Sequence, residues 1–498
     1  MLQLLAWTLI PALVTDNASL DVIEGFAWGH EWQWGYHKGP PLFAWLLELT
    51  RLAGGTSLWG VFLLSQVCLA VMFYGVWRLA SDILGDDDAI IAVLLLATIY
   101  YFNFPTPEFN PIILEFPFTA LIGWIGHRAL KQDRSGDWAL LGALTALGML
   151  SRYSIVTLLI PMAMFMLNHP AARRLLMRPG PYIALGLAIL LISPHLLWMH
   201  AHGYESVAYV QDRARVAADP LNGVVFAARF ALSQLFALAP VGFLVLILTQ
   251  IRAGPADRIV AIAREPDSFD RLYISVLALG PFAFSIFISI VTGHGLRSMW
   301  GAPLWVWITL WVIMMVRPHF TALRLKWFRL AWAALFVLPL VAYAGAQMIG
   351  PILTGHERRT HFPGQTLAAK ATEAWHEAYG TKLRYVVGRM WVAGNLAFYS
   401  ADRPSVFIDA NPRISPWIDD NDLRVRGGIV VWNLYVDGEA MPEWLARSFP
   451  TAVPQPTVIL PLSRIPARMP VKVRWALLPP MDCPAQPAGA ASGCKAIH

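Results

Sequence analysis

Charged residues are scarce in this chain of 498 residues. Asp, Glu, Lys and Arg together make up 14% of the chain, whereas 57% of its residues are hydrophobic. An ordinary soluble domain carries roughly 25% charged residues. This shortage excludes a chain built only of soluble globular domains.

Several motifs of soluble enzymes are missing as well. The sequence has no Walker loop, no nucleophile elbow, no zinc-ligand spacing and no internal repeat. The segment "VGRMWVAG" lacks the three-glycine spacing of a dinucleotide-binding fingerprint. No sequence motif therefore points to chemistry on a nucleotide, on a dinucleotide cofactor or at a structural zinc ion.

Long apolar runs dominate the chain up to about residue 349. A membrane-spanning helix needs about 20 predominantly apolar residues, so these runs predict a polytopic α-helical membrane protein with about eleven or more spans. The predicted spans lie near 1–14, 57–80, 89–104, 111–130, 138–150, 154–168, 181–199, 223–250, 272–293, 301–316 and 328–349.

Basic residues predict which side of the membrane each loop faces. With the N-terminus inside, inner loops carry most of the loop Lys and Arg residues, for example Arg128, Lys131, Arg173 and Arg174. This distribution follows the positive-inside rule, and it explains the net charge of +6 without a nucleic-acid partner. An odd number of spans then places the C-terminal segment in the periplasm, on the outer face of a bacterial inner membrane.

The C-terminal segment, residues 350–498, has a mixed and more polar pattern. The amphipathic stretch "PGQTLAAKATEAWHEAYG" predicts a helix that ends at Gly380, and strand-like stretches such as "KLRYVVGR" and "PSVFIDA" follow it. The alternation predicts a small periplasmic α/β domain, separate from a membrane domain over 1–349. Cys483 and Cys494 lie near its end and would form a disulfide once exported, with free thiols as the alternative.

Unusual polar residues of the membrane part gather in the predicted outer loops. In "LDVIEGFAW", Asp21 and Glu24 are three residues apart and would share one face of a helix. Carboxylates and cations at one interface suit a reaction between an anionic lipid headgroup and a hydroxyl, because a carboxylate can take the hydroxyl proton while cations stabilise the departing charge. The other candidates are Tyr36, Lys38, Glu108, Asn110, Arg152, Tyr153, His294 and Arg297.

Each candidate also has a purely structural interpretation. Asp21 and Glu24 could solvate an outer helix, and Lys38 could reach toward lipid headgroups among interfacial aromatics. The two arginines could pair with acidic residues or bind any anionic lipid, and the histidine could be an ordinary loop residue. Glu115 lies within a predicted span, where a carboxylate is costly unless it has a partner, and is a weaker candidate.

Three segments resemble one known family. "LDVIEGFAWG" followed by "WGYHKGPPLFAWL" resembles the first outer loop of bacterial GT-C glycosyltransferases, in particular of the group related to protein O-mannosyltransferases and lipid A aminoarabinose transferases. "GALTALGMLSRYS" and "RSMWGAPLW" are similar to a middle segment and to the late outer loop of that group. The resemblance covers most of the membrane part and implies a GT-C-like fold.

The same resemblance implies an inverting transfer of a hexose or pentose from a polyprenyl-phosphate donor. Asp21 matches the first-loop acid that would act as general base on the acceptor hydroxyl. Lys38 matches a lysine that would contact the donor phosphate. Arg152 stands where the family often has a lysine, and Arg297 matches a late-loop cation, so both would also lie near the phosphate. Glu24 is the second catalytic candidate, but the family has adjacent Asp-Glu where this chain has Asp-x-x-Glu, so the resemblance leaves the role of Glu24 open.

The remaining site candidates are expected to bind substrate: Tyr36, Glu108, Asn110, Tyr153 and His294. The departing phosphate already carries negative charge, so no metal is required, although a divalent cation stays open. The acceptor could be lipid A or another part of lipopolysaccharide, another glycolipid or a protein. A transporter or lipid flippase is the main alternative, but its ionisable residues would be expected near the bilayer midplane.

Overall fold

The computed structural model describes residues 1–213, 215–216, 220–251, 259–261, 265–354, 358–460 and 470–481. The chain divides into two compact units. The first unit comprises Met1–Ile10, Lys38–Leu42 and Phe62–Tyr343, and the second comprises Pro11–His37, Phe43–Val61 and Ala344–His498. The predicted domain limits of 1–349 and 350–498 stay a prediction, and the two C-terminal cysteines lie outside the described residues.

Helices make up most of the described chain. The α-helices are α1 Leu2–Val14, α2 Leu20–His30, α3 Leu42–Gly54, α4 Trp59–Leu84, α5 Asp86–Leu96, α6 Pro111–Gln132, α7 Ser135–Ser151, α8 Val156–Asn168, α9 Pro170–Arg174, α10 Gly180–Ala201, α11 Glu205–Arg213, α12 Pro220–Gln250, α13 Ser268–Thr292, α14 Ile308–Val316, α15 Ala322–Met348, α16 Gly350–Thr354, α17 Gly364–Tyr379, α18 Met390–Tyr399, α19 Asp420–Arg426, α20 Leu434–Asp437 and α21 Glu443–Ser448.

Short 3₁₀ helices and strands complete the list of elements. The 3₁₀ helices are Tyr100–Phe102, Tyr153–Ile155, Leu175–Met177, Ser298–Trp305 and Arg359–His361. The strands are β1 Arg215–Val216, β2 Ile259–Ala261, β3 His294–Gly295, β4 Phe320–Thr321, β5 Tyr385–Gly388, β6 Ser405–Ile408, β7 Gly428–Asn433, β8 Val453–Pro454, β9 Val458–Leu460 and β10 Val471–Leu478.

Five of these helices are long and apolar enough to cross a membrane: α4, α10, α12, α13 and α15. Two helix pairs, bent by 84° and 56° at short breaks, would raise the number to seven if each pair is one span. Large apolar side chains such as Leu190, Leu197 and Phe236 are more than half exposed on these helices. Lipid can cover such surfaces whereas water cannot do so favourably, so the chain is an integral membrane protein.

The predicted count of about eleven or more spans is not confirmed by these helices. α1 and α5 are 13 and 11 residues long, which is short for a crossing. α6 has the length, at 22 residues, but it is too polar to be counted among the apolar helices, and it carries Glu115. Hydropathy runs alone therefore overstate the number of long apolar helices in the described chain.

The turn that carries Glu108 is held by the start of α6. Asn110 is the N-cap residue of that helix, and its Oδ1 accepts hydrogen bonds from the amides of Ile112 and Ile113 at 2.9 and 3.3 Å. Pro111 follows at the first helical position, where its missing N–H is no loss. The side-chain Nδ2 of Asn110 donates to the carbonyl of Glu108 at 2.8 Å, which fixes the turn before the helix.

The second unit is built on a sheet with strand order β6-β5-β7-β10-β8, and β9 also pairs with β10. β5 runs parallel to β6 and β7, and β10 runs antiparallel to β7. Apolar clusters lie on both faces of this sheet, which explains the uninterrupted apolar run "GIVVWN" in β7. The helix predicted to end at Gly380 is α17, and Gly380 has the left-handed φ of +65° that favours glycine.

Helix α2 belongs to the core of this second unit. Phe26 stacks on Phe398 of α18 with ring centroids 4.2 Å apart. A Cβ on Gly394 would lie 2.8 Å from Cγ2 of Ile23, so the two helices approach closely at that glycine. The backbone amides of Asp16 and Asn17 donate to the carbonyl of Thr360. The segment that contains α2 is therefore anchored to residues that lie more than 300 positions further along the chain.

Candidate active site

Asp21 and Glu24 lie on α2, as the sequence predicted, but their environments differ. Asp21 is in the first turn of the helix and is exposed. Glu24 is one turn later and only 5% exposed. A base must reach the hydroxyl of a second molecule, so Asp21 is the better placed of the two to take its proton.

Tyr36 is completely buried in the second unit. Its hydroxyl donates to the carbonyl of Trp28 at 2.8 Å and accepts from the amide of Gln33, and its ring stacks on that of Trp28. These contacts fix the loop that follows α2. They describe a structural role, and substrate binding by this residue stays a prediction.

Lys38 contacts an aromatic ring that sequence reasoning did not single out. Its Nζ lies 5.6 Å from the centroid of the Tyr209 ring, on α11 of the same unit. The guanidinium carbon of Arg213 lies 5.3 Å from the same centroid, and its Nε donates to the Tyr209 hydroxyl at 2.8 Å. Two cations are thus gathered at one tyrosine within the range of cation–π attraction.

The same helix also contacts Tyr153. Ser206, three residues before Tyr209 and therefore on the same face of α11, lies 3.0 Å from the Tyr153 hydroxyl. That hydroxyl also lies 2.8 Å from Nε2 of His195, a fully buried residue of α10. α11 therefore connects Lys38 with the segment that carries Arg152 and Tyr153, two predicted site residues far apart in sequence from Lys38.

Arg152 has an acidic partner. It follows α7 in an extended conformation, and its Nη1 lies 3.2 Å from Oε2 of Glu115. The same carboxylate oxygen accepts a hydrogen bond from Ser154 at 2.5 Å. Glu115 is 1% exposed, so Arg152 and Ser154 supply the partners that a buried carboxylate needs. One of the structural interpretations of Arg152 thus applies, because part of its charge is used inside the protein.

Glu108 and Asn110 line a cavity of about 620 Å³ in the first unit. Most of its walls are aromatic or aliphatic, and Glu108 is the one residue with a formal charge among those that line it in the described chain. The residues of the wall include Tyr100, Tyr101, Phe116, Phe236, Ser298 and Met299. A mostly apolar cavity with a few polar groups is the usual form of a small-molecule site.

The segment predicted to be the late outer loop lies beside this cavity. Arg297 precedes the 3₁₀ helix Ser298–Trp305, is exposed, and makes no ion pair with any residue that the structure describes. His294 belongs to β3, which pairs with β1, and its carbonyl accepts from Ser289 at 2.7 Å. The backbone of His294 is therefore structural, whereas Arg297 presents a cation next to a residue of the cavity wall.

A buried charge cluster in the second unit was not predicted from the sequence. Oε2 of Glu48 lies 3.1 Å from Nη2 of Arg403, and Arg51 donates to Oε1 of the same carboxylate. Burial raises the pKa of the nearby Glu31 carboxyl to about 7, while a hydrogen bond with Ser405 acts in the opposite direction. Burial is also the main reason why the pKa of Arg403 falls to about 10. These residues are far apart in sequence, so no motif could reveal the cluster.

Metal ligands do not gather within the described residues, where no group of three or more His, Cys, Asp or Glu side chains could hold a metal ion. The acids and cations given above are divided between the two units: Asp21 belongs to the second, whereas Lys38, Arg152 and Arg297 belong to the first. Attack by an acceptor oxygen on a donor that carries phosphate uses a base for the acceptor and cations for the leaving group.

Comparison with known proteins identifies similar sequences and folds. Residues 38–198 match the family model described as dolichyl-phosphate-mannose-protein mannosyltransferase. Structures of ArnT from Cupriavidus metallidurans match with TM-scores of 0.60, bound to undecaprenyl phosphate, and 0.56, in the apo state. The first match covers 97% of this chain and 98% of that chain at 11% identity, and the second covers 96% of each at 12% identity. The chain has a GT-C fold.

Two relatives from Rhizobium johnstonii (strain DSM 114642 / LMG 32736 / 3841) are similar in sequence. The lipid A galacturonosyltransferase RgtD is 27% identical over 202 residues, which are 39% of this chain and 41% of that protein. The lipopolysaccharide core galacturonosyltransferase RgtA is 21% identical over 382 residues, which are 75% of this chain and 74% of that protein. This chain therefore spans less than half of the first relative and about three quarters of the second. The predicted resemblance to GT-C glycosyltransferases is confirmed.

The family match begins at Lys38 and includes Glu108, Asn110, Arg152 and Tyr153. Asp21 and Arg297 lie outside the matched segment.

Proposed function

We propose that this protein is an inverting glycosyltransferase that moves a sugar from a polyprenyl-phosphate donor to lipid A or another part of lipopolysaccharide. The reaction takes place at the periplasmic face of the bacterial inner membrane. The names of both relatives favour a lipopolysaccharide acceptor and make galacturonic acid the first sugar to test. The undecaprenyl phosphate bound to the similar ArnT structure supports a polyprenyl-phosphate donor.

The gathering of cations around α11 carries this proposal. Lys38 and Arg213 share the Tyr209 ring. Two like charges held at one ring repel each other, and a bound phosphate would relieve that repulsion and accept hydrogen bonds from both. A flippase of a phosphate lipid could use the same cations, so the exposed acid Asp21 is what favours the transferase over it. A non-catalytic membrane scaffold, the third alternative, needs neither the cations nor the acid.

The proposed reaction needs no other reactant. The acceptor oxygen attacks the anomeric carbon while the bond between that carbon and the phosphate oxygen breaks. The acceptor proton goes to the Asp21 carboxylate, and the polyprenyl phosphate leaves with the bonding electron pair. Lys38, Arg213 and Arg297 stabilise the charge that grows on the phosphate. Inversion requires Asp21 to act from the side opposite the phosphate.

Glu24 and Arg152 have smaller roles in this proposal. Glu24 is buried behind Asp21 on α2, and Arg152 shares its charge with Glu115. The Glu108 carboxylate and the Asn110 amide line the cavity and are proposed to contact sugar hydroxyls. Tyr153 is proposed to position α11 through its contact with Ser206. His294 is proposed to position the segment before Arg297 through its backbone contacts.

Replacement of the proposed base tests this function in cells. Envelope glycolipids of a deletion strain are compared by mass spectrometry with those of strains complemented by wild type, by Asp21→Asn or by Asp420→Asn. We expect a sugar on lipid A or core oligosaccharide that the deletion strain lacks, that wild type and Asp420→Asn restore, and that Asp21→Asn restores to less than about 1% of the wild-type amount.

Asp420→Asn is the matched control for Asp21→Asn. Asp420, like Asp21, is an exposed acid in the first turn of a helix of the second unit, but it belongs to no predicted site. Full restoration by Asp21→Asn at equal protein level would remove Asp21 as the base. Accumulation of an untransported lipid with no missing sugar would favour the flippase.

A further inference from the structure

A buried glutamine in the membrane part has no role in the chemistry above. Gln234 lies on α12, one of the five long apolar helices, and is 1% exposed. An amide at such a position is costly unless its hydrogen bonds are made, so polar residues inside membrane helices usually serve a function.

Gln234 makes hydrogen bonds with each part of its amide group. Its Oε1 accepts from Nε1 of Trp305 at 3.0 Å and lies 3.1 Å from the Tyr101 hydroxyl. Its Nε2 donates to the carbonyl of Ser298 at 3.1 Å and to the hydroxyl of Ser233 at 2.9 Å. The side-chain amide of Gln234 thus contacts two neighbouring segments, the 3₁₀ helices Tyr100–Phe102 and Ser298–Trp305.

The Ser298 carbonyl is the point where this network holds the late outer loop. It accepts from Gln234 and also from the Tyr101 hydroxyl, the latter at 2.7 Å. Ser298 lines the cavity and directly follows Arg297. The backbone beside Arg297 is therefore fixed by two hydrogen bonds, whereas the exposed side chain of Arg297 makes no ion pair within the described chain.

Gly301 allows this arrangement. A Cβ at that position would overlap the side-chain amide of Gln234. The glycine in "SMWGAPLW" therefore has a steric reason that depends on Gln234 rather than on backbone conformation. Gly301 thus leaves room for the Gln234 amide, which together with the Tyr101 hydroxyl holds the Ser298 carbonyl in one position.

The geometry points to Gln234 and Tyr101 as positioning residues for Arg297. They fix the backbone from which Arg297 extends, at the edge of the cavity, so that its guanidinium meets the phosphate of a polyprenyl-phosphate lipid without first ordering the loop. A preorganised cation loses less entropy on binding than a mobile one. This inference rests on the proposed function, because it takes a phosphate lipid as the ligand of Arg297.

Binding of undecaprenyl phosphate by the full-length protein in nanodiscs tests this inference. The dissociation constant is measured by native mass spectrometry for wild type, Arg297→Ala, Tyr101→Phe and the double variant. We expect Arg297→Ala to weaken binding about tenfold and Tyr101→Phe about threefold to tenfold, as for the loss of one hydrogen bond. In the Arg297→Ala background, Tyr101→Phe should have no further effect, because the position of an absent side chain no longer matters.

Tyr273→Phe is the matched control. Tyr273 is fully buried in the same unit, and its hydroxyl also donates to a backbone carbonyl, that of Gly123, at 2.8 Å. We expect this control to leave the dissociation constant within twofold of wild type at equal amounts of folded protein. Gly301→Ala disturbs the network without removing a hydrogen-bonding group and should weaken binding as Tyr101→Phe does. It thus keeps the test decisive if Tyr101→Phe fails to fold.

The contrary outcomes separate this inference from the proposed function. Equal weakening by Tyr101→Phe with and without Arg297 would show a merely structural effect and overturn the inference. So would unchanged binding in Tyr101→Phe and Gly301→Ala when wild type binds. A wild-type protein that does not bind undecaprenyl phosphate would contradict the proposed function itself, and the inference with it.

Discussion

Glu31 is the C-cap residue of helix α2 and lies near the buried charge cluster of the second unit. Its folded pKa of about 7 is raised above the ordinary value near 4.5, chiefly by burial. The groups that face it are Ser405, Arg403 and Glu48, and the adjacent His30 has a pKa lowered by burial and by Arg403. Because the folded protein holds the Glu31 proton more tightly than the unfolded chain, Glu31 favours folding at low pH.

The raised pKa of Glu31 predicts that the difference in stability between wild type and Glu31→Gln depends on pH. The stability of wild type relative to the variant should fall as the pH rises from about 4.5 to about 7, and stay constant above that window. The total change is on the order of 2 kcal/mol after allowance for partial exposure of Glu31. Thermal unfolding of both proteins in detergent at several pH values measures it. Glu373→Gln, at an exposed position of α17, is the control, and a parallel pH dependence of wild type and Glu31→Gln would refute the prediction.

The sequence predicted which residues need a polar partner, but it could not predict which residues contact one another. The apolar surroundings of Glu115 indicated that this carboxylate needs a partner, and the structure supplies Arg152 and Ser154. No spacing rule connects positions 115 and 152, since helix periodicity reaches only three or four residues. Tyr209 and Arg213 were missed for the same reason, because their importance follows from contact with Lys38 and not from their own segment.

Helices α2 and α3 pack closely at Gly29. A Cβ on Gly29 would overlap the carbonyl oxygen of Ala44 and lie 2.8 Å from Cβ of Glu48. We predict that Gly29→Ala forces the two helices apart and lowers the free energy of unfolding by about 1–3 kcal/mol, the usual cost of overpacking. Calorimetry or thermal unfolding in detergent checks this value. Gly54→Ala is the control, because a Cβ there meets nothing within 4 Å; equal effects of both substitutions would contradict the packing argument.

Elements with a regular pattern were predicted well, and those shaped by long-range packing were not. α17 has a clear amphipathic period and a glycine at its end, and its limits agree with the prediction to within a residue or two. β5 and β6 were predicted from the strand-like stretches "KLRYVVGR" and "PSVFIDA", but their parallel pairing was not, because pairing depends on the whole sheet. The short membrane-part helices α5 and α7 differ from predicted spans since hydropathy does not report where a helix ends.

The sequence of the whole molecule indicated its class more securely than its organisation. The lack of charge and the apolar runs predicted a polytopic membrane protein, and the outer-loop motifs predicted a GT-C fold. Neither signal could show that Pro11–His37 belongs to one compact unit with residues of the C-terminal segment. That association depends on contacts such as Phe26 with Phe398, which bring together positions widely separated in sequence.

The orientation of the molecule in the membrane gives the last prediction. Inner loops rich in Lys and Arg predict that residues 170–178 face the cytoplasm and that the C-terminal segment faces the periplasm. Single cysteines at the exposed positions Arg174 and Lys370 test this in a background where Cys483 and Cys494 are replaced by Ser. In intact spheroplasts, a membrane-impermeant maleimide should label Lys370→Cys fully and Arg174→Cys only after lysis. Cys68 is buried and serves as the unlabelled control. Labelling of Arg174→Cys before lysis would invert the topology and place the proposed site away from any periplasmic donor.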